Sequence, residues 1–447
     1  MKESIALCRE IDYNFRKGGV SMKLNSKRTF FIGLAFLSIC AFWQLYDSII
    51  PLILQDTFGL RETLTGSIMA LDNVLALFLL PLSGAFSDRV NTRLGKRTPF
   101  IIFGTVSAVL FMMLIPFAAQ QRNFTLFFIS LGIVLIAMGT YRSPAVALMP
   151  DLTPKPLRSK ANAAINLMGA VGGIFTLAMI SLLIPKEAVP DYTPVFLSVA
   201  LLMVVAVIIL VFTIRENKLL KEMPMEEGTS EQKALDNDVE KNDMPKDVKK
   251  SLIFLLASIF LWFTAYNAVT TAFSRYAKVV WGLQGGSFAN ALLVATGVAI
   301  VSYIPIGIIS SHIGRKKTIV AGIIIMTASY FGGFLFTEYS PWINFIFAFT
   351  GIGWAAINVN SYPMVVEMSR SSDVGKYTGL YYTFSMAAQI FTPTFSGFLL
   401  QNVSYRTLFP YAIIFSMLSL CTMLFVRHGD SKPPKKGSKL EHFDIEN

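Results

Sequence analysis

The sequence predicts an all-α membrane protein of twelve transmembrane helices in two six-helix bundles. Three observations predict it. Of the 447 residues, 53% are hydrophobic and only 15% are charged, whereas soluble domains are about 25% charged. The apolar residues gather in long runs, each near the ~20 residues that cross ~30 Å of hydrocarbon at ~1.5 Å per residue. The second half of the chain also repeats features of the first. Lipid offers backbone N–H and C=O groups no partner, so spans of this kind must be helical.

The first six runs cover 30–54, 62–86, 99–119, 123–149, 160–183 and 194–214. The first follows a short basic lead and carries Trp43, Gln44 and Asp47. The second contains Asp72, Pro81 and Gly84, and Pro99 and Phe100 open the third. The fourth holds Arg142 and ends near Asp151. In the fifth, Asn162, Asn166, Gly169 and Gly173 recur along one helical face; small and amide residues of this kind let membrane helices approach closely, so they read as packing. Residues 215–249 are mixed in charge and poor in aromatics, the composition of a flexible linker. The remaining runs cover 250–273, 285–310, 318–337, 341–368, 376–400 and 405–427. The chain thus divides into an N-terminal tail (1–29), a bundle (30–214), the linker (215–249), a second bundle (250–427) and a C-terminal tail (428–447).

The net charge of +11 does not describe a nucleic-acid surface. With both termini inside, all but seven of the 39 Lys and Arg fall on one side of the membrane. The exceptions are Arg61, Arg122, Lys186, Arg275, Lys278 and Arg406 in outer loops, and Arg142 within a span. Such a positive-inside bias sets orientation and favours contact with anionic lipid. The expected location is the cell membrane, with both termini cytoplasmic. Cys8, Cys40 and Cys421 and the histidines His312, His428 and His442 show no metal or redox spacing. No GxxxxGK[ST] loop is present to hold a nucleotide, and no catalytic constellation or cofactor signature is found. The first span is too long for a signal-peptide core. Residues 1–21 are polar, and the stretch 17–21 could be encoded by a ribosome-recruiting sequence. Translation starting at Met22 and a genuine polar tail are the two readings of this segment.

The chain is organised around the hairpin at 72–100, DNVLALFLLPLSGAFSDRVNTRLGKRTPF. Gly84, Asp88 and Arg89, then Gly95, Lys96 and Arg97, have a counterpart in Gly307, His312, Gly314, Arg315 and Lys316 after the second span of the other half. A fainter echo joins Pro144 and Asp151 to Pro363 and Glu367. Two six-span repeats of parallel topology are a transporter architecture, with the substrate site expected near the midplane.

These residues resemble the major facilitator superfamily, whose turn after span two has the form G-x-x-x-D-R…G-[KR]-[KR]. The longer stretch at 87–101, with Pro144, Ala147 to Thr153 and Arg158, is similar to the glycoside–pentoside–hexuronide:cation symporters and the sucrose–proton symporter group. The superfamily resemblance covers the whole chain; the subgroup resemblance rests on 72–175. It implies alternating-access transport of a sugar or glycoside, with the cavity lined by spans one, four, seven and ten. It also implies that Asp88 latches the outward-open state. The chain departs from the subgroup at Ala76 and Leu80, where acids are usual, and at Val146, where the sucrose group often has arginine. The missing acids favour protons over sodium as the coupling ion.

A charge inside a bilayer is costly, about 2.5–3.5 kcal/mol on insertion scales, and so marks function by default. Asp72 and Asp47 lie at similar depths, counted along their helices. A low dielectric favours the neutral form of a carboxyl group, so both are candidates for proton coupling, with Asp72 first. Their structural alternative is a polar bond between helices. Arg142 is read as a cavity residue or as a cation that snorkels to headgroups. Sugar recognition wants aromatic faces and amides. Span one offers Trp43 and Gln44, and span seven offers Trp262, Tyr266 and Asn267. Asn358 lies on span ten, and Tyr382 and Gln389 lie on span eleven. Lipid-facing or packing roles are the alternative for each aromatic. Gly84, Asp88, Arg89, Gly95 and Arg97 form the expected conformational gate. The basic members are read as contacts to lipid phosphates or neighbouring helices, and Asp88 alternatively as a local turn cap. The expected partners are a small polar substrate and membrane lipids, with the chain a monomer. The competing function is proton-driven efflux of amphipathic compounds.

Overall fold

The computed structural model describes residues 16–17, 20–21, 25–154, 158–187, 190–222, 245–368 and 374–430. The Met22 reading, most of the linker and the distal C-terminal tail lie outside these. Twelve long helices are present. They are α1 (Ser26–Leu52), α2 (Glu62–Arg89), α3 (Thr98–Gln120), α4 (Phe124–Asp151), α5 (Arg158–Leu183) and α6 (Thr193–Thr213), then α8 (Lys246–Val279), α9 (Ala289–Ile313), α10 (Arg315–Leu335), α11 (Ile343–Glu367), α12 (Val374–Asn402) and α13 (Leu408–Leu424). A short helix, α7 (Glu216–Glu222), follows α6. Arg16–Lys17 and Val20–Ser21 pair as the only strands among the described residues. Eleven of the long helices are long and apolar enough to cross a membrane. The twelfth, α12, is diluted by Thr, Ser, Tyr and Gln side chains.

Two boundaries depart from expectation for physical reasons. Helix α8 runs on to Val279 rather than stopping at 273. Its last turns carry Arg275 and Lys278, which were expected in a loop; both are instead paired with carboxylates, so the helix can continue through them. Residues 216–222, expected within a flexible linker, are helical and docked. Elsewhere the local signals hold. Asn25 and Asn123 cap α1 and α4, each accepting a backbone N–H at 3.0 Å, as an N-cap amide does.

Contacts divide the chain into two compact units, Met1–Ile53 with Val74–Met225, and Leu54–Asn73 with Glu226–Asn447. In the first unit α1 packs on α5, α3 on α4, and α6 on both α1 and α3. In the second, α8 packs on α12, α10 on α11, and α13 on both α8 and α10. These pairings of spans one, three, four, five and six are repeated by spans seven, nine, ten, eleven and twelve, and in the second unit α9 also packs on α11. Phe78, Phe103, Phe212, Val301 and Phe331 leave large apolar faces uncovered, as helices bordering hydrocarbon do.

The division of the chain falls inside α2. Residues 62–73 belong to the second unit and 74–89 to the first. Small residues make the closest packing possible. Gly172 of α5 sits directly against the Leu37 carbonyl of α1, leaving no room for a Cβ, and Thr176 Oγ1 donates to the Ala41 carbonyl at 3.0 Å. Gly172→Val is expected to destabilise the detergent-solubilised protein by about 1–3 kcal/mol, the usual cost of overpacking. Gly132→Ala, at a site with open space, is expected to leave the melting temperature unchanged. Thermal unfolding of both variants checks this.

Candidate functional site

In the first unit, α1 is held by Tyr141 of α4, whose hydroxyl lies 3.1 Å from both the Ala35 carbonyl and Ser38 Oγ. With α5 packed on its other side, α1 presents Trp43, Gln44 and Asp47 half-buried. Trp43 meets Phe42 and Tyr46 edge to face at 5.1 and 5.5 Å, and its indole N–H is buried without a hydrogen-bond partner. Arg142 of α4 lies over the Trp43 ring, with Cζ 5.9 Å from the centroid, within cation–π range. Gln44 donates to Ser48 Oγ at 3.0 Å. The structure therefore brings together two of the predicted residues, Trp43 and Arg142; Gln44 bonds Ser48 on its own helix, and Asp47 lies one turn beyond Trp43 along α1.

In the second unit, Tyr266 stacks flat on Trp354 at 3.7 Å and 4°. Phe263 meets Trp354 edge to face at 5.4 Å. Asn267, next to Tyr266, is half-buried and its amide nitrogen has no acceptor. Trp262 is fully buried, so it belongs to the core of this unit and offers no face to a solute. The stacking partner of Tyr266 is Trp354, which the sequence analysis did not single out and which lies one turn before Asn358 on α11. That i, i+4 spacing with Asn358 is the signal that would have found it. Asn358 is exposed and bonded to the Tyr303 hydroxyl. Tyr382 is exposed beside Tyr381 and Tyr362. Gln389 turns back to its own helix, donating to the Ser385 carbonyl at 3.3 Å. Asp72 is half-buried and accepts from Asn73 Nδ2 at 2.7 Å.

The hairpin is a charge cluster within the first unit. Arg97 is buried. It pairs with Asp88, contacts Asp151 Oδ2 through Nε at 2.8 Å, and donates to Ser87 Oγ and the Gly84 carbonyl. Burial opposes its charge, but hydrogen bonding and attraction from Asp151, with Asp88, outweigh that and raise its pKa above the ordinary value. Arg97 is therefore a loop–helix contact and is not turned to lipid phosphates, because four acceptors already surround its guanidinium. Asp88 is committed to Arg97 in its own hairpin, while Arg89 is exposed.

Glu216 of α7 completes the cluster. Its carboxylate accepts the backbone N–H groups of Lys96, Arg97 and Thr98 and the Thr98 hydroxyl at 2.8–3.1 Å. It thereby caps α3, where the helix dipole favours an anion. Gly95 is in the left-handed region at φ 118°, and a Cβ there would strike this carboxylate. Asn217 donates to the Thr92 and Arg93 carbonyls at 2.8 and 3.0 Å. The second unit repeats the device. Arg315 pairs with Glu367, and Asp430 accepts the Arg315 N–H at 2.6 Å. The Asp151–Glu367 echo in the sequence is thus a pair of arginine acceptors. Glu216 and Asp430 escaped notice because both follow the last span of their half.

A further cluster joins residues that sequence reasoning left in loops or passed over. Glu62 and Arg275 are both buried, with Oε2 and Nε 3.0 Å apart. Tyr405 donates its hydroxyl to Glu62, and Lys278 meets Asp56 at 2.6 Å. All five residues lie in the second unit. Among the described residues, no group of three His, Cys, Asp or Glu could hold a metal ion.

Among the described residues, twelve long helices, eleven of them long and apolar enough to cross a membrane, with half-buried aromatics, amides and charges in both units, define a multi-pass membrane transport fold. A family model described as Major Facilitator Superfamily matches residues 32–304 and 296–446, and the chain belongs to that superfamily. It is 26% identical over 151 residues to the sucrose transport protein SUC3 of Arabidopsis thaliana, a match covering 30% of this chain and 25% of that protein. It is 22% identical over 419 residues to an uncharacterised MFS-type transporter of Methanocaldococcus jannaschii, covering 93% of this chain and 98% of the other. The inward-open xylose transporter XylE of E. coli shares the fold, with a TM-score of 0.64 at 15% identity, covering 93% of this chain and 97% of that one.

Removing the Glu216 carboxylate strands three backbone N–H groups at the start of α3. Glu216→Ala is expected to cost about 1–3 kcal/mol of stability. Arg97→Lys keeps the charge but loses the planar fork that reaches several acceptors, and is expected to destabilise as well. Melting curves of both variants in detergent, compared with exposed Arg89→Ala, which should be neutral, check the assignment.

Proposed function

We propose that this protein is a secondary transporter that carries a sugar or glycoside with protons by alternating access. The observation that carries the reading is the contact between α1 and α4, with the Trp43 ring under Arg142; Gln44 and Asp47 are half-buried on the same helix α1. An aromatic face suits the C–H surface of a sugar, and amide, guanidinium and carboxylate groups suit its hydroxyls. The Tyr266–Trp354 stack with the unsatisfied Asn267 amide offers a second set of the same chemistry. The similarity to a sucrose transport protein supports this substrate class. Asp72, with Asp47 second, is the proposed coupling carboxylate, and protons rather than sodium are the proposed ion. The side rich in Lys and Arg is the proposed cytoplasmic face of the cell membrane, which places both termini inside.

The aromatic set Phe263, Tyr266, Trp354, Tyr362, Tyr381 and Tyr382 also fits a flat amphipathic compound, and favours proton-driven efflux as the second reading. Uptake of labelled sucrose, xylose and a methyl glycoside into proteoliposomes, with and without an inward proton gradient, separates the two. Gradient-driven accumulation of at least one sugar is expected. Asp72→Asn should abolish accumulation against a gradient while keeping counterflow. Accumulation by Asp72→Asn equal to the parent would remove Asp72 from coupling. Extrusion of a lipophilic cation, with no sugar uptake, would favour efflux.

A further inference from the structure

The aromatic residues of the second unit do not stop at the Tyr266–Trp354 stack. Phe263 joins Trp354 to Tyr381, with ring centroids 5.4 and 6.4 Å away. Tyr381 in turn meets Tyr362 at 5.5 Å and Tyr382 at 5.4 Å. These rings form one unbroken run over α8, α11 and α12, within a single unit. On α11, Trp354, Asn358 and Tyr362 follow one another at i, i+4 and i+8, so they share one face. Tyr362 stands two turns beyond Trp354, ~12 Å along the helix, toward the end that carries Glu367. The run changes character over that distance. At Trp354 the rings are half-buried and stacked on each other, whereas at the far end Tyr362 and Tyr382 are 37% and 55% exposed.

Two features fit this end to a polar solute rather than to hydrocarbon. Its rings are tyrosines, and a hydroxyl group finds no partner in lipid. Tyr362 shares a hydrogen bond with Thr378 at 3.1 Å, and Tyr381 one with Ser361 at 3.2 Å. Among the described residues, α12 is also the one long helix that is not apolar enough to cross a membrane, because Thr378, Tyr382, Thr383, Ser385 and Gln389 interrupt it. Polar side chains at membrane depth border a water-filled path or the interior of a bundle, and Tyr382 and Thr383 are exposed. We infer that Tyr362 and Tyr382 form a second sugar subsite, distinct from the Trp354 platform. A sugar ring lies its C–H surface against the exposed tyrosine faces and bonds its hydroxyls to the Tyr362–Thr378 pair. The inference rests on the proposed carriage of a sugar or glycoside. A subsite open on one side buries less of its ligand than an enclosed pocket does, so it binds weakly, as a waypoint must if the solute is to leave it.

Occupation of this subsite can be read without transport. Gly379 lies one turn before Tyr382 on α12, exposed and with open space where a Cβ would stand. Gly379→Cys is made in a chain whose three native cysteines are replaced by Ser. The purified protein is labelled with a maleimide in detergent, with sucrose, xylose or a methyl glycoside added. At least one sugar should slow labelling of Gly379→Cys and leave that of the exposed Lys186→Cys unchanged. Adding Tyr382→Ala should raise the half-protecting concentration ~3–10-fold, the loss of one aromatic face, and Tyr382→Phe should keep it. Trp354→Ala should preserve protection, because the two subsites are separate. Thr383→Cys, exposed on the same helix, serves should Gly379→Cys not be recovered. Absence of protection by every sugar, or protection lost with Trp354→Ala but untouched by Tyr382→Ala, overturns the subsite. Protection by a lipophilic cation alone overturns it too and favours efflux. Sugar accumulation in proteoliposomes without protection removes the subsite and leaves the transport reading standing; protection without accumulation does the reverse.

Discussion

One helix carries an acid near each end, and each acid is matched by a buried arginine. Glu62 begins α2 and faces Arg275; Asp88 closes it and faces Arg97. Glu62, Arg275 and Arg97 are withdrawn from water, where charges are tolerated only when paired, whereas Asp88 stays largely exposed. The first contact lies in the second unit and the other in the first. Between them the helix carries Asp72, then Pro81 and Gly84. The remaining spans are arranged in repeated pairs, and in both units an arginine beginning the third helix of the repeat is held by the acid that ends the fourth.

Much of this was legible in the sequence. Twelve long apolar runs in a medium without hydrogen-bonding partners leave the chain no alternative to helices, and the duplicated turn announced the repeat of helix pairing. The grouping of Trp43 with Arg142 was half visible, since each stood out as an unusual residue in an apolar run. Their contact was not, because it depends on how α1 and α4 pack through Tyr141, Ala35 and Ser38.

What escaped was charge that looked external. Arg275 and Lys278 read as loop residues because apolarity ends before them; carboxylates more than 200 residues earlier, at the start of span two and just before it, let the helix absorb them. Glu216 read as part of a mixed-charge linker, yet it is the anion on which the start of α3 rests. Arg97 read equally as a contact to lipid phosphates or to a neighbouring helix. Asp151 and Asp88 redirected it inward. In each case the partner lay far away in sequence, where composition and periodicity carry no signal. Trp262 failed for the opposite reason: a tryptophan near an amide looks like a binding residue, but this one fills the core.

Proton movement with solute is the property that Asp72 is proposed to confer, and the direct measurement is substrate-induced proton flux in proteoliposomes held at zero membrane potential. Adding a transported glycoside outside should make the medium more alkaline as protons enter with it, and Asp72→Asn should remove that change while solute exchange continues. Solute entry with no proton flux, or with protons leaving, would contradict coupled uptake through Asp72.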